Sequence, residues 1–245
     1  MYRLAIATLI GALTLTAHAA PIINVGPIFD YLDGTHSTYL KRIYNSGDST
    51  AFVRVNISEI LYAADGTRRE IPIDTQGTVH ERTGLIASPA RLIIPARGMQ
   101  TTRLLYRGER DRERYYRVRY VPVVPEKEDQ FAVSEEERAA YKASLSAGVN
   151  VMASYGAIFF VRPTSTRFDT RIEQTATRYS VHNAGNSTLM LDHFRDCSAS
   201  DERNCEATRL HHVMPGKTFA FDKVPGRVYR FNVTEGSDQR GMHVD

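Results

Sequence analysis

The segment that decides the fold runs from Ser144 to Pro163 and reads SLSAGVNVMASYGAIFFVRP. This pattern is typical of one long β-strand that ends at the proline, with Val149, Val151 and Ala153 on one face. Strands of globular proteins mostly have about 3–10 residues, so this strand is longer than its own sheet needs. Because an exposed apolar edge promotes aggregation, we expect the surplus strand, up to Tyr155, to pair with another chain.

The first 19 residues have the pattern of a secretory signal peptide. Arg3 precedes an apolar run from Leu4 to Leu15, and Ala17-His18-Ala19 places small residues before the predicted cleavage site. The run is too short to cross a bilayer, and no later run approaches ~18 apolar residues. We therefore expect an exported, soluble mature protein.

The rest of the chain has the composition of an all-β protein. Runs rich in Val, Ile, Thr and Tyr recur between Gly, Pro, Asn and Asp, before and after residue 163. This spacing predicts two β-sandwich domains, at 20–163 and 164–245. Ser134 and Glu137 form a capping-box signature that predicts a short helix in the charged segment before the long strand. No internal sequence repeat is evident.

The two cysteines, Cys197 and Cys205, form a close pair in a chain that we expect to be exported. Such a pair favours a disulfide that closes a short polar turn. The alternative is a zinc site with His211 and His212, but no second spaced pair of ligands supports it. Adjacent histidines on a strand point to opposite faces, which also disfavours a shared metal ion.

The chain shows no known catalytic motif, so we expect neither an enzyme nor a cofactor. An arginine-rich run from Arg103 to Arg119 could bind an acidic partner or nucleic acid. Because Glu109, Asp111 and Glu113 are interleaved with it, a salt-bridged turn with a solvated strand face is the better interpretation. The formal net charge of +3 does not indicate nucleic acid as a partner.

Several segments together resemble periplasmic pilus-assembly chaperones of the chaperone–usher pathway. The resemblance is carried, in order along the chain, by LKRIYNSGD from Leu40, SPARLIIPA from Ser88, ERYYRVRYVP from Glu113 and MPGKTF from Met214, with the cysteine pair before the last. It spans nearly the whole mature chain and is strongest to the alternate class, which serves colonisation-factor fimbriae.

The resemblance implies two immunoglobulin-like domains in a boomerang arrangement, located in the periplasm. It implies that the long strand fills the groove of a pilus or fimbrial subunit that lacks one strand, and that an outer-membrane usher receives the subunit. The donor residues are then Val149, Val151, Ala153 and Tyr155. We also expect the free chain to self-associate through the same edge. The rival interpretation is an exported β-sandwich fimbrial subunit or adhesin.

This chain departs from the resemblance at one site. Classical members bind the carboxylate of the subunit's last residue with an Arg and a Lys in the cleft between the domains. The equivalent positions here are Phe29 and Ile158, and neither is basic. Arg42, Arg119 and Arg162 are the candidate substitutes.

Overall fold

The computed structural model describes residues 20–63, 65–73, 83–145, 152–201 and 203–245, so the predicted signal peptide lies outside the described residues. The first half contains strands β1 (Ile23–Asn24), β2 (Phe29–Leu32), β3 (Thr38–Asn45), β4 (Ala51–Tyr62), β5 (Arg68–Pro72), β6 (Gly84–Ser88), β7 (Arg91–Ile94), β8 (Met99–Arg107), β9 (Arg114–Val123) and β10 (Tyr155–Val161). A 3-10 turn (Lys127–Asp129) and helix α1 (Glu135–Leu145) lie between β9 and β10. In the described part of the chain, no helix is both long enough and apolar enough to span a membrane.

The second half contains strands β11 (Thr170–Gln174), β12 (Arg178–Asn183), β13 (Leu189–Ser198), β14 (Arg209–Val213), β15 (Thr218–Asp222), β16 (Arg227–Glu235) and β17 (Asp238–Val244). β17 reads DQRGMHV and lacks the apolar alternation by which a half-buried strand is recognised.

The first domain is a sandwich of two sheets around one apolar core. One sheet has the order β1-β3-β8-β6, and the other has the order β2-β10-β9-β4-β5, with β7 also paired to β4. The alternating inward residues of both sheets build the core, because successive side chains of a strand point to opposite faces. Its fully buried members include Ile43, Val53, Leu104, Val118 and Phe159.

The second domain repeats this architecture on a smaller scale. Its sheets have the orders β11-β12-β15 and β14-β13-β16-β17, and its core is centred on Phe194, Leu191 and Val181. In the described residues, no strand pairing joins the sheets of one domain to those of the other. The two-domain all-β fold is therefore as predicted, and the boundary at Pro163 stays a prediction.

The two domains share a sequence and structural repeat that the sequence analysis missed. Residues 45–49 read NSGDS and residues 183–187 read NAGNS, and each segment begins at the last residue of a strand. The Asn45 amide donates to the carbonyls of Ser49 and Ile94, at 2.7 and 3.1 Å. The Asn183 amide makes the equivalent bonds to the carbonyls of Ser187 and Val213, at 2.9 and 2.7 Å. We call this arrangement the asparagine clamp.

The glycine of each clamp is required by a close approach of backbone. A Cβ on Gly47 would lie 2.6 Å from the carbonyl oxygen of Ala20, and one on Gly185 would lie 2.5 Å from that of Arg167. In both domains the first segment of the domain crosses this turn, so only glycine fits. The shared residues are too few to stand out in the sequence, in which no internal repeat is evident.

The predicted disulfide joins Cys197 and Cys205. The two cysteines close a polar loop at the end of β13, where the Ser198 N–H donates to the Asn204 carbonyl at 2.9 Å. The bonded sulfurs are not free thiolates, so the alternative of a zinc site with His211 and His212 does not hold. The described residues contain no cluster of side chains able to hold a metal ion.

Candidate functional site

The structure corrects the start of the predicted long strand. Ser144 and Leu145 form the end of α1 rather than the start of a strand, and residues 152–154 have no strand pairing. The capping box explains the helix: the Ser134 hydroxyl accepts from the Glu137 N–H at 3.1 Å, and the Glu137 carboxylate accepts from the Ser134 N–H at 2.7 Å. These local bonds prevail over the alternation that continues through Leu145.

The four predicted donor residues are only partly described. Val149 and Val151 lie outside the described residues. Ala153 is exposed and outside any strand, and Tyr155 begins β10, half-buried against the core of the first domain. The odd-numbered residues of β10 after Tyr155 also pack into that core. A continued alternation would therefore place Ala153 and the two valines on the same face.

Pro122 gives the physical reason why β10 begins at Tyr155. The Ile158 N–H donates to the Ile28 carbonyl, so the odd-numbered residues of β10 direct their backbone groups toward β9. Tyr155 lies opposite Tyr120 in this antiparallel pair. The next hydrogen-bonded pair would join Ala153 to Pro122, but proline has no N–H. The residues before Tyr155 therefore lose a ladder bond to their own sheet.

The first three residues of β10 also pair with only one of its two neighbouring strands. β2 pairs with it in parallel from Ile158 to Val161 only, so Tyr155, Gly156 and Ala157 pair with β9 alone among the described strands. The first residues of β10 thus lie at a sheet edge. An unpaired edge is a template for strand addition by another chain.

A cleft of about 410 Å³ separates the two domains next to this edge. The first domain lines it mainly with apolar and aromatic side chains, and the second contributes His212 and Met214. The first domain's lining residues are Ile28, Phe29, Tyr62, Arg68, Arg117, Gly156, Ile158 and Phe160. The cleft is therefore apolar on its floor and cationic at Arg68 and Arg117.

The two positions that the resemblance marks for basic residues lie side by side in this cleft. Phe29 is the parallel partner of Ile158, and Ile158 lies opposite Arg117 on β9. The three residues form one row across the sheet. The basic side chain, Arg117, therefore lies on β9, one strand away from the position on β10 that the resemblance marks for a lysine.

Arg117 and Arg119 share one carboxylate. The Glu70 oxygens lie 2.7 Å from Arg117 Nε and 2.5 Å from Arg119 Nη2. Hydrogen bonds from Arg119 and then Arg117 hold the pKa of Glu70 below its usual value. Two cations thus face one anion, which leaves a net positive charge at the cleft. Arg68 has no ion pair with any described residue.

The three arginines suggested by the sequence are not brought together. Arg119 lies beside Arg117 but lines an adjoining pocket, with Glu70 and Tyr155, rather than the cleft itself. Arg42 is exposed on β3 in the other sheet of the domain. Arg162 is buried, 2.5 Å from Asp33, with its guanidinium 4.9 Å from the centre of the Tyr31 ring. Its guanidinium also lies 5.4 Å from the centre of the Phe168 ring of the second domain, so Arg162 serves the contact between the domains rather than the open cleft.

Glu113 is a functional residue that the sequence analysis missed. It was interpreted as one of the acids that neutralise the arginine run, but its buried carboxylate crosses to the second domain. There it accepts from the Thr188 N–H at 2.9 Å and from the Thr188 hydroxyl at 2.5 Å. Burial raises the pKa of Glu113, although these hydrogen bonds and one from Tyr115 oppose the rise.

His212 closes the other side of the contact between the domains. Its Nε2 lies 2.7 Å from the Tyr31 hydroxyl, and its ring stacks on Phe160 with centroids 5.1 Å apart. His211 points the opposite way, with its ring centroid 5.4 Å from that of Phe194 in the core, as predicted for adjacent strand residues. Burial, and then the charge of His211, lower the pKa of His212 to about 4, so His212 is neutral at pH 7.

Comparison with known proteins shows that the chain is similar in sequence to probable fimbrial chaperones. It is 29% identical over 217 residues to the probable fimbrial chaperone EcpB of Klebsiella pneumoniae strain 342, covering 88% of this chain and 87% of the relative. No family model matches the chain. The chain is a homologue of fimbrial chaperones. Its relatives are named as chaperones and not as enzymes, in agreement with the prediction.

Two solved structures share the fold over most of the chain. The class 5 fimbriae chaperone CfaA has a TM-score of 0.56 and 20% identity, covering 91% of this chain and 98% of that one. A chaperone–tip adhesin complex of CFA/I fimbriae biogenesis has a TM-score of 0.53 and 18% identity, covering 91% and 97%. Both likenesses agree with the predicted two-domain all-β fold.

Proposed function

We propose that this chain is a periplasmic chaperone that binds a fimbrial subunit by donor-strand complementation and delivers it to an outer-membrane usher. The observation that carries the proposal is the free edge at the start of β10, preceded by alternating apolar residues. Pro122 supports it, because the missing N–H removes a competing bond within the chaperone. The signal-peptide pattern and the disulfide support a periplasmic location.

Val149, Val151 and Ala153 are the proposed donor residues, and Tyr155 is the point where the donor segment joins the sheet. Each apolar side chain that enters a subunit pocket would contribute ~1.5–3 kcal/mol if fully buried. Main-chain bonds along the added strand would set the register. A one-residue slip would turn the polar residues into the groove, so the alternation also specifies the register.

Arg117 and Arg119, with Arg68 opposite, are the proposed anchor for the carboxylate of the subunit's last residue. Arg119 was among the candidates from the sequence, and the cleft adds the other two. Glu70 already orients Arg117 and Arg119, and the remaining positive charge suits one incoming carboxylate. Arg42 and Arg162 leave the proposal because one lies in the other sheet and the other is committed to Asp33.

The proposal is tested with a tagged chain expressed in the periplasm. We expect Val151→Asp to abolish recovery of a fimbrial subunit, because a charge in an apolar pocket costs several kcal/mol. Asn150→Asp is the matched control, since it adds the same charge on the opposite face of the strand and should leave recovery unchanged. Equal recovery by Val151→Asp and the wild type would contradict the proposal.

Delivery to an usher and self-association of the free chain complete the proposal. Capping of the edge in a dimer would protect it until a subunit arrives. Analytical ultracentrifugation of the wild type should show a concentration-dependent dimer that Val151→Asp weakens. A strictly monomeric wild type at ~100 μM would contradict self-association.

A further inference from the structure

The segment between β9 and β10 is attached to the outer face of the first domain's larger sheet. Phe131 and Tyr141 pack edge-on against Phe52 of β4, with ring centroids 5.3 and 4.8 Å apart. The Tyr141 hydroxyl donates to the Thr50 carbonyl at 2.8 Å. Phe131 is only 6% exposed, so this contact is a buried aromatic contact.

Charged and polar contacts hold the start of the same segment, at Asp129. Asp129 lies 2.9 Å from Arg54 Nη1, and its side chain is 12% exposed. The Arg91 side chain donates to the Asp129 carbonyl. The segment is thus fixed from the 3-10 turn to Leu145, the buried last residue of α1. We call residues 127–145 the latch.

We propose that the latch is a positioning element that holds the start of the donor segment beside the sheet edge before a subunit arrives. This inference rests on the proposed function. With the latch attached, nine residues separate Leu145 from Tyr155 along the chain. Without it, the nearest residue of a preceding strand is Val123 of β9, and 31 residues separate it from Tyr155.

The difference in chain length sets the size of the expected effect. The entropic cost of closing a flexible chain between two points grows as about (3/2)RT ln n, where n is the number of residues between them. Release of the latch should therefore reduce subunit capture about sixfold without touching the donor residues. The sandwich itself should keep its stability, because Phe131 and Tyr141 lie outside its core.

The test uses the subunit that co-purifies with the wild-type chain, unfolded in denaturant and captured on dilution. Phe131→Ala/Tyr141→Ala removes both rings from Phe52, and Asp129→Asn removes the ion pair. Glu128→Gln is the matched control for Asp129→Asn, since Glu128 is an exposed acid on the same turn. Hydrogen exchange of residues 127–145 and thermal unfolding of each variant report latch release and folding.

We expect the double variant to require about sixfold more chaperone for half-maximal capture, with unchanged unfolding of the sandwich. Asp129→Asn should show a smaller loss that Asp129→Glu restores, and Glu128→Gln should behave as wild type. Capture that is unchanged or improved by latch release would contradict the positioning role of the latch while leaving the proposed function intact. A wild type that captures no subunit would overturn both.

Discussion

The two domains are built alike but differ in the connection before their last strand. In the second domain, β16 and β17 form a hairpin closed at Gly236 and Ser237, paired in register from Glu235–Asp238 to Tyr229–Val244. In the first domain, the equivalent strands β9 and β10 are separated by residues 124–154, and β10 is paired with β9 only from Tyr155. The last strand of the second domain thus follows a short turn, whereas that of the first, which we propose pairs with a subunit, follows a long connection.

The asparagine clamps are what the two domains have in common, and their removal should have the largest effect. Asn45→Ala and Asn183→Ala each leave several buried backbone groups without partners, and we expect a loss of about 3 kcal/mol in the affected domain. Asn186→Ala is the control, since its side-chain amide makes only exposed bonds, one donated to the Ser165 carbonyl and one accepted from the Arg167 N–H. Hydrogen exchange resolved by domain measures the loss, and equal losses in both domains from one substitution would contradict independent clamps.

The disulfide belongs to the second domain alone. Its bridge closes a short loop, so Cys197→Ser should cost about 2–3 kcal/mol in the second domain and leave the first unchanged. Mass spectrometry of unreduced, alkylated wild-type protein should show no free thiol. Urea unfolding followed domain by domain measures the cost, with Ser200→Ala as a control in the same loop. Destabilisation of the first domain would show that the loop acts beyond its own sandwich.

His212 makes the contact between the domains sensitive to acid. Its pKa in the folded protein, about 4, lies below the ordinary value of 6.5, so the unfolded chain takes up the proton first. Stability is therefore complete above pH 6.5 and is lost as the pH falls toward 4, by on the order of 2 kcal/mol. Urea unfolding at pH 7 and 4.5 measures this loss. His212→Gln should reduce the pH dependence, and an unchanged dependence would assign it to another group.

Pro122 is the smallest change that should make the first domain resemble the second. Pro122→Val restores the N–H that Ala153 lacks as a partner, and one net hydrogen bond is worth about 1 kcal/mol. The donor segment should then pair more with its own sheet and capture a subunit about fivefold less well. Pro125→Val is the control, because Pro125 lies beyond the end of β9. Equal capture by Pro122→Val and the wild type would mean that the proline does not determine where the pairing of β10 with β9 begins.

The fold was accessible from the sequence where burial alternates, as in β9, whose inward residues Tyr116, Val118 and Tyr120 are all buried. The end of α1 was not accessible in this way. The capping box at Ser134 predicted the helix, but the apolar alternation that includes Leu145 predicted a strand at the point where the helix ends. At the candidate site, the sequence located Phe29 and Ile158 in the cleft. It missed Arg117, because only the pairing of β9 with β10 shows that the cation lies one strand away.

The most direct test of the account compares hydrogen exchange of the two last strands on subunit binding. Residues 146–157 and β17 are followed by mass spectrometry in the free chain and in its complex with the co-purified subunit. We expect residues 146–157 to gain strong protection from hydrogen exchange in the complex, while the exchange of β17 does not change. Unchanged exchange of residues 146–157 in a stable complex would contradict the claim that this segment completes the subunit.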